Sequence, residues 1–102
     1  MAKISFRERV YSKATEIPVG KVSTYKSLAK NAGNKLACRA VGTIMHHNNY
    51  PHSGMPCHRV VKSSGEIGGY AHGTDKKIAM LRAEGVKIKD GKVDLEIFEY
   101  KF

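Results

Sequence analysis

Acidic residues are scarce in this chain: nine Asp and Glu stand against eighteen Lys and Arg, giving a formal charge of +9 over 102 residues. Such an excess favours a polyanionic partner, because Lys and Arg contact phosphates and release their counterions. Nucleic acid is the first candidate, and a basic solvated surface is the plain alternative. Long apolar runs are missing as well. No segment approaches the roughly 20 residues needed to cross a bilayer. The start, MAKISFRERV, lacks the apolar centre of a signal peptide. A soluble, intracellular protein, cytoplasmic or in the nucleoid or nucleus, is expected, with no membrane partner. Cysteine is limited to Cys38 and Cys57, too few for a disulfide framework, so both are expected to remain thiols in a reducing compartment. Repeats, low-complexity tracts and interdomain linkers are also lacking. What is present is an ordinary globular balance, 41% hydrophobic and 26% charged, which suits one small domain with a single core.

Along the chain, Ser5 can cap a helix whose apolar positions Phe6, Val10, Ala14 and Ile17 recur every three or four residues until Pro18 and Gly20 intervene. Ser23 or Thr24 can cap a second helix carrying Tyr25, Leu28 and Ala29 and stopping near Ala32-Gly33-Asn34. A third pattern, LACRAVGTIMHHN, sets Leu36, Ala40, Val41, Ile44 and Met45 on one stripe. Helix, short glycine-containing turn and helix form the layout of a helix-turn-helix. After a loop from Asn48 to Met55, HRVVKSSGEIGGY predicts a short strand, a turn at Ser63-Ser64-Gly65 and a return through Ile67 to Tyr70, a candidate wing. Thr74 and Asp75 offer a cap for a helix closed by Gly85, and the tail alternates around Asp90-Gly91, a hairpin signal. The fold class is therefore mainly α with small β elements.

The chemistry concentrates in GMPCHRVV, where Cys57 and His58 are adjacent. A thiol with a pKa near 8.5 is only about 3% thiolate at pH 7, so a nucleophilic cysteine needs a base, and a histidine oriented by a carboxylate can act as one. Adjacency alone argues weakly, since neighbouring side chains on a strand point to opposite faces. The rival reading is a metal site, because His46, His47, His52, Cys57 and His58 fall in one short span. Paired metal-ligand spacing is absent there, and no metal is expected. Cys38, within the third helical pattern, is expected to pack as a small hydrophobe.

Four motifs together carry a resemblance: IPVGKVSTYKSLA (17–29), CRAVGTIMHHN (38–48), MPCHRVVKSSGEIGGYAHG (55–73) and LRAEG (81–85). In order and spacing they resemble the carboxy-terminal, DNA-binding and active-site domain of the O6-alkylguanine-DNA alkyltransferases, also called methylated-DNA–protein-cysteine methyltransferases. The resemblance spans roughly residues 5 to 85. It implies a winged helix-turn-helix domain and repair by stoichiometric transfer of an alkyl group from O6-alkylguanine in double-stranded DNA to Cys57, without a cofactor, by a monomer bound in the minor groove.

Carried over by residue, Cys57 resembles the alkyl acceptor, His58 its water-mediated base, and Glu84 the carboxylate that orients the histidine. Tyr25 resembles the tyrosine that protonates the departing guanine and touches the DNA backbone, and the resemblance makes Ser23 a further DNA-binding position. Arg39 resembles the arginine that enters the base stack when the damaged base is flipped out, and small Ala40 and Gly42 let its helix sit close to DNA. Met45, Val60, Tyr70 and Ala71 resemble pocket positions around the flipped guanine, and Asn48 or Asn49 resembles the family's hinge asparagine. Ala71 stands where many members have serine, and His72 is bulkier than the glycine of some relatives. Many members carry an amino-terminal domain that this chain is expected to lack. That economy resembles alkyltransferase-like proteins, which bind alkylated DNA without transfer because the acceptor cysteine is replaced. Damage recognition without transfer is thus one alternative, and a winged-helix regulator with an incidental thiol is another.

Overall fold

The computed structural model describes residues 5–46, 56–69 and 73–102, with backbone only at His46. Helix α1 (Phe6–Thr15) opens where Ser5 accepts a hydrogen bond from the Glu8 amide at 3.2 Å, and it buries Val10 and Ala14. Strand β1 (Ser23–Thr24) runs directly into α2 (Tyr25–Asn31), whose cap is Thr24: its Oγ1 accepts from the Ser27 amide at 3.0 Å. Of the two residues that could have capped this helix, Thr24 does so and Ser23 turns inward. Beyond α2, Gly33 at φ +103° closes the end, with the Asn34 amide reaching the Ala29 carbonyl and the Gly33 amide that of Lys30. Helix α3 (Cys38–His46) then packs on α2 and α1, as expected of a helix-turn-helix.

The stripe expected along α3 is narrower than its sequence pattern. Val41 and Met45 are buried, Ile44 is half-buried, and Ala40 and Leu36 are exposed, Leu36 lying ahead of the helix at 86% exposure. A helix that rests one side on two others buries only the residues facing them, and the apolar positions left over face outward.

After a single 3-10 turn (Cys57–Arg59), strand β2 (Val60–Val61) pairs in parallel with β1, Ser23 opposite Val60 and Thr24 opposite Val61. This corrects the expected wing, in which the strand would have paired with its own return. Successive strand residues face opposite ways, and here both faces are covered. Val60 joins the core formed by α1, α2 and α3, while Val61 joins a second core with Val22, Ile67, Leu81, Val86 and Val93. A strand buried on both sides belongs between layers. The turn after it forms as expected, with the Gly65 amide donating to the Lys62 carbonyl at 2.8 Å and the Lys62 amide to the Glu66 carbonyl at 2.9 Å, and the return leg also pairs with a later part of the chain. Glu66 bridges to Lys92, and the Val93 amide donates to the Gly65 carbonyl at 2.8 Å. Gly65 is required there: at φ +90°, a Cβ would lie 2.6 Å from the Val93 carbonyl oxygen.

Helix α4 (Thr74–Ala83) starts one residue earlier than a Thr74 cap would place it. Gly73 occupies the capping position without a side-chain bond, and Asp75 lies in the first turn, where its charge suits the helix dipole. The end at Gly85 is as expected, with the Val86 amide on the Leu81 carbonyl and the Gly85 amide on that of Arg82, both at 3.0 Å. Strands β3 (Ile88–Lys89) and β4 (Lys92–Val93) form the hairpin at Asp90-Gly91, whose positive φ values of 54° and 73° are those of a two-residue primed turn. The tail beyond it is helical instead of extended. Asp94 caps α5 (Leu95–Phe98), and the chain returns to β1 through Val22–Phe98 and Tyr100–Val22 backbone bonds.

Candidate active site

Pro56 leads into the 3-10 turn, and the Arg59 amide closes it on the Pro56 carbonyl at 2.9 Å. Three residues per turn set successive side chains about 120° apart, unlike the opposed faces of a strand. Cys57 and His58 are therefore both buried, at 8% and 6% exposure, and Cys57 sits in the helical core.

Glu84 arrives from the other end of the chain. The Gly85 turn stops α4 just as its last residues pass the 3-10 turn, and the carboxylate meets two side chains there. His58 Nε2 is 2.9 Å from Oε2, and Arg59 grips both oxygens, Nε on Oε1 at 2.9 Å and Nη2 on Oε2 at 2.7 Å. A third Arg59 bond, from Nη1 to the Ile17 carbonyl at 2.8 Å, ties this group to the end of the α1 segment. Burial pushes the Glu84 carboxyl up, but hydrogen bonds from Arg59 and His58, and their charges, outweigh it and hold it below the usual carboxylate range. An ionised carboxylate only accepts, so His58 Nε2 carries a proton and donates it. In the neutral imidazole, Nδ1 is then left as the basic nitrogen.

On another side of the thiol lies a pair that spans α2 and α4. Tyr25, first residue of α2, is half-buried, and Lys77 of α4 is fully buried at 0% exposure. The Lys77 ammonium donates to the Gly69 carbonyl at 3.2 Å and reaches the Tyr25 hydroxyl at 3.5 Å. Burial lowers the Lys77 pKa to about 8, while negative charge on Cys57 works the other way. Burial, and then the same Cys57 charge, raise the Tyr25 phenol. Both groups thus lie within the electrostatic reach of the thiol.

A family model described as the 6-O-methylguanine DNA methyltransferase DNA binding domain matches residues 5–86. The chain belongs to this family. It is 42% identical over 80 residues to the methylated-DNA–protein-cysteine methyltransferase of Methanosarcina acetivorans, covering 78% of this chain and 51% of that protein. It is 38% identical over 100 residues to a bifunctional methyltransferase/endonuclease of Picrophilus torridus, covering 98% of this chain and 33% of the relative. The chain therefore spans from a third to about half the length of these relatives. Among solved structures, S. pombe Atl1 in complex with damaged DNA containing O6-carboxymethylguanine superposes with a TM-score of 0.86 at 34% identity, covering 99% of both chains. The mainly helical architecture with small sheets is that of the family's DNA-binding domain.

In this methyltransferase-family chain, the sequence-derived positions separate into three groups. Cys57, His58 and Glu84 come together, with Tyr25 beside them. Arg39 and Ala40 are exposed at the start of α3, and Gly42 is half-exposed, with nothing among the described residues within 4 Å of where a Cβ would stand. Two positions are corrected. Ser23 is fully buried on β1, its hydroxyl without a hydrogen-bond partner among the described residues, so it presents nothing to a partner surface. Cys38 is exposed, because the first residue of α3 projects past the core that was expected to cover it. Met45 and Val60, at 3% and 0% exposure, pack in the core around Cys57 and back the thiol instead of lining an opening. Tyr70, Ala71, His72, Asn48, Asn49, His47 and His52 lie outside the described residues. Among the described residues, no three His, Cys, Asp or Glu side chains gather to hold a metal ion.

Arg59 and Lys77 are the site residues that the sequence reading passed over. Arg59 was visible inside Pro-Cys-His-Arg-Val, where the basic residue beside a histidine competes for the same carboxylate. Lys77 had no local signal beyond its place in an α4 turn that otherwise buries Leu81.

Proposed function

We propose that this chain repairs DNA by taking the alkyl group of O6-alkylguanine onto Cys57, once per molecule and without a cofactor. The observation that carries this reading is the chain of hydrogen bonds from Arg59 through Glu84 to His58, next to the Cys57 thiol. Glu84 fixes the histidine with its Nδ1 as base, and Nδ1, through a water, accepts the thiol proton. The thiolate then attacks the alkyl carbon in a direct displacement. Guanine leaves as its ring gains a proton from Tyr25.

The O6 position is inaccessible inside a duplex, so the base must rotate out before sulfur can reach it. The exposed Arg39 at the head of α3 would enter the stack in its place, with α3 in the minor groove and the protein acting as a monomer. A mid-helix glycine costs roughly 0.5–1 kcal/mol relative to alanine. Nothing among the described residues crowds a side chain at Gly42, which supports a requirement imposed from outside, by close approach to DNA. A second reading is recognition of alkylated DNA without transfer, favoured by the full-length superposition on S. pombe Atl1 bound to damaged DNA.

Intact-protein mass spectrometry after incubation with a duplex carrying O6-methylguanine separates the two. Transfer adds about 14 Da, one CH2, to the peptide containing Cys57, and one equivalent per protein. Cys57→Ser should bind and not transfer. Tight lesion binding by the wild type with no mass gain would place the chain in the recognition class.

A further inference from the structure

Helix α2 carries two lysines, Lys26 and Lys30, one turn apart on a single face, and no acidic residue. Like charges at this spacing repel, and Lys26 stands in the first turn, where a cation opposes the helix dipole. Both lysines are exposed, and neither has an ion-pair partner among the described residues. Their face is the one opposite Leu28 and Ala29, which are buried in the core that α2 shares with α1 and α3.

What the two lysines line is a groove of about 450 Å³. Lys26, Ser27 and Lys30 come to it from α2, Ser63 from the turn after β2, and Tyr100 and Lys101 from the tail. The tail is tied there through β1, the Tyr100 amide donating to the Val22 carbonyl at 2.7 Å and the Val22 amide to the Phe98 carbonyl at 2.9 Å. It lies beyond residues 5–86, so this wall of the groove is not part of the matched family domain. The carboxylate that lines the groove, Glu99, is taken up by Lys101 at 2.9 Å and is 18% exposed, whereas Lys101 is 80% exposed. The charge left open is positive.

Charge, size and position together select an occupant. Ammonium and hydroxyl groups in this mixture suit phosphate oxygens. A groove of this volume admits one strand and not a duplex. Thr24, the cap of α2, also lines it, so the groove opens beside Tyr25, while the exposed Arg39 belongs to α3. Tyr100 is half-buried, which leaves part of an aromatic side chain next to the lysines, the combination that single-strand binders use. We propose that this groove holds a single-stranded segment flanking the duplex that α3 binds, with Lys26, Lys30 and Lys101 on its phosphates. The proposal rests on DNA binding as described above, but not on alkyl transfer. It directs the protein to damage beside gaps, ends and unpaired stretches, where a free strand is at hand.

Fluorescence anisotropy with an unmodified duplex, either blunt or carrying a single-stranded extension of about eight nucleotides on its 5′ or 3′ side, tests this. Unmodified guanine keeps the result independent of transfer. One of the two extensions should tighten binding by at least about fivefold. It should also steepen the slope of log affinity against log salt by about 2, since three lysines on a single strand contribute about 0.7 each. Lys30→Gln combined with Lys101→Gln should remove most of that advantage, bring the slope to within about 0.7 of the blunt value, and change blunt-duplex affinity less than about twofold. Removing the same charge from the β3–β4 hairpin, with Lys89→Gln and Lys92→Gln, should leave the advantage intact; its loss there would assign the effect to net charge and overturn the proposal. Equal losses on blunt and extended duplexes in the Lys30 and Lys101 variant would assign these lysines to the duplex and also overturn it, as would a wild type indifferent to both extensions. So would displacement of the extension by a glutamate-rich peptide as readily as by oligothymidine, which would mark a general anion surface. A wild type that binds neither blunt nor extended DNA would instead refute the DNA-binding reading itself.

Discussion

Replacing Lys77 with methionine should make the protein more stable at neutral pH. The lysine's folded-state pKa is lowered from 10.5 to about 8 because burial penalises its charge. At about 1.4 kcal/mol per tenfold change in proton affinity, holding the ammonium inside the fold costs about 3 kcal/mol at pH 7. The sign follows from proton binding. Between about pH 8 and 10.5 the unfolded chain holds more protons than the folded one, so this group's contribution to stability rises with pH across that window. Below pH 8 the penalty is complete. Methionine removes it but leaves the Gly69 carbonyl and the Tyr25 hydroxyl without the lysine's hydrogen bonds, at roughly 1 kcal/mol each. The net expectation is a variant more stable by about 1–2 kcal/mol at pH 7. That advantage should shrink by about 2 kcal/mol by pH 9.5, where the wild-type lysine is largely neutral. Tyr25, whose phenol is raised, contributes in the opposite sense above about pH 10, so 9.5 is the useful upper limit. Urea unfolding of both proteins at half-unit pH intervals from 7 to 9.5 gives the difference directly. A methionine variant less stable than wild type at pH 7, by an amount that does not change with pH, would show that the ammonium is not strained by burial, and the reasoning would fail.

Glu84→Gln should lower the transfer rate by roughly 10- to 100-fold with little effect on DNA affinity, because the amide still accepts from His58 but no longer stabilises its cation; single-turnover rates and gel-shift titrations together check this. The same ionised carboxylate, whose pKa is depressed, stabilises the fold above the ordinary carboxylate pKa, and that contribution should disappear as the pH falls below it, visible as a lower unfolding midpoint in acid. Arg39→Ala should weaken capture of a lesion in duplex DNA more than in a flexible single strand, since only the duplex leaves a stacked gap; equal losses would remove the intercalating role. Binding of either strand form should weaken steeply with salt. Gly65→Ala should destabilise by about 2–3 kcal/mol in thermal or urea unfolding, from the left-handed backbone together with the clash against Val93. A loss under about half a kcal/mol would show that the turn relaxes at little cost.

Local signals in the sequence were enough for α1 to α4, though not for the short α5, because a cap, an apolar spacing and a terminating glycine are written within a few residues of one another. Ser5, Thr24, Gly33 and Gly85 act where the sequence places them, and Asp90-Gly91 makes its hairpin because both residues accept positive φ. The Cys57-His58 pair and Glu84 were legible through the motifs around them. Tertiary structure decided the rest wherever partners lie far apart along the chain. Strand β2 faces two cores and so pairs with β1 instead of its own return, and the 3-10 turn puts Cys57 and His58 in the interior together. Ser23 and Cys38 exchange their expected environments, one buried and one exposed, since burial depends on what packs against an element and not on its own pattern. Lys77 is the clearest case. Lysine reads as a surface residue in any sequence, and only the meeting of α4 with Tyr25, 52 positions earlier, removes it from water and leaves a buried cation at the back of the site.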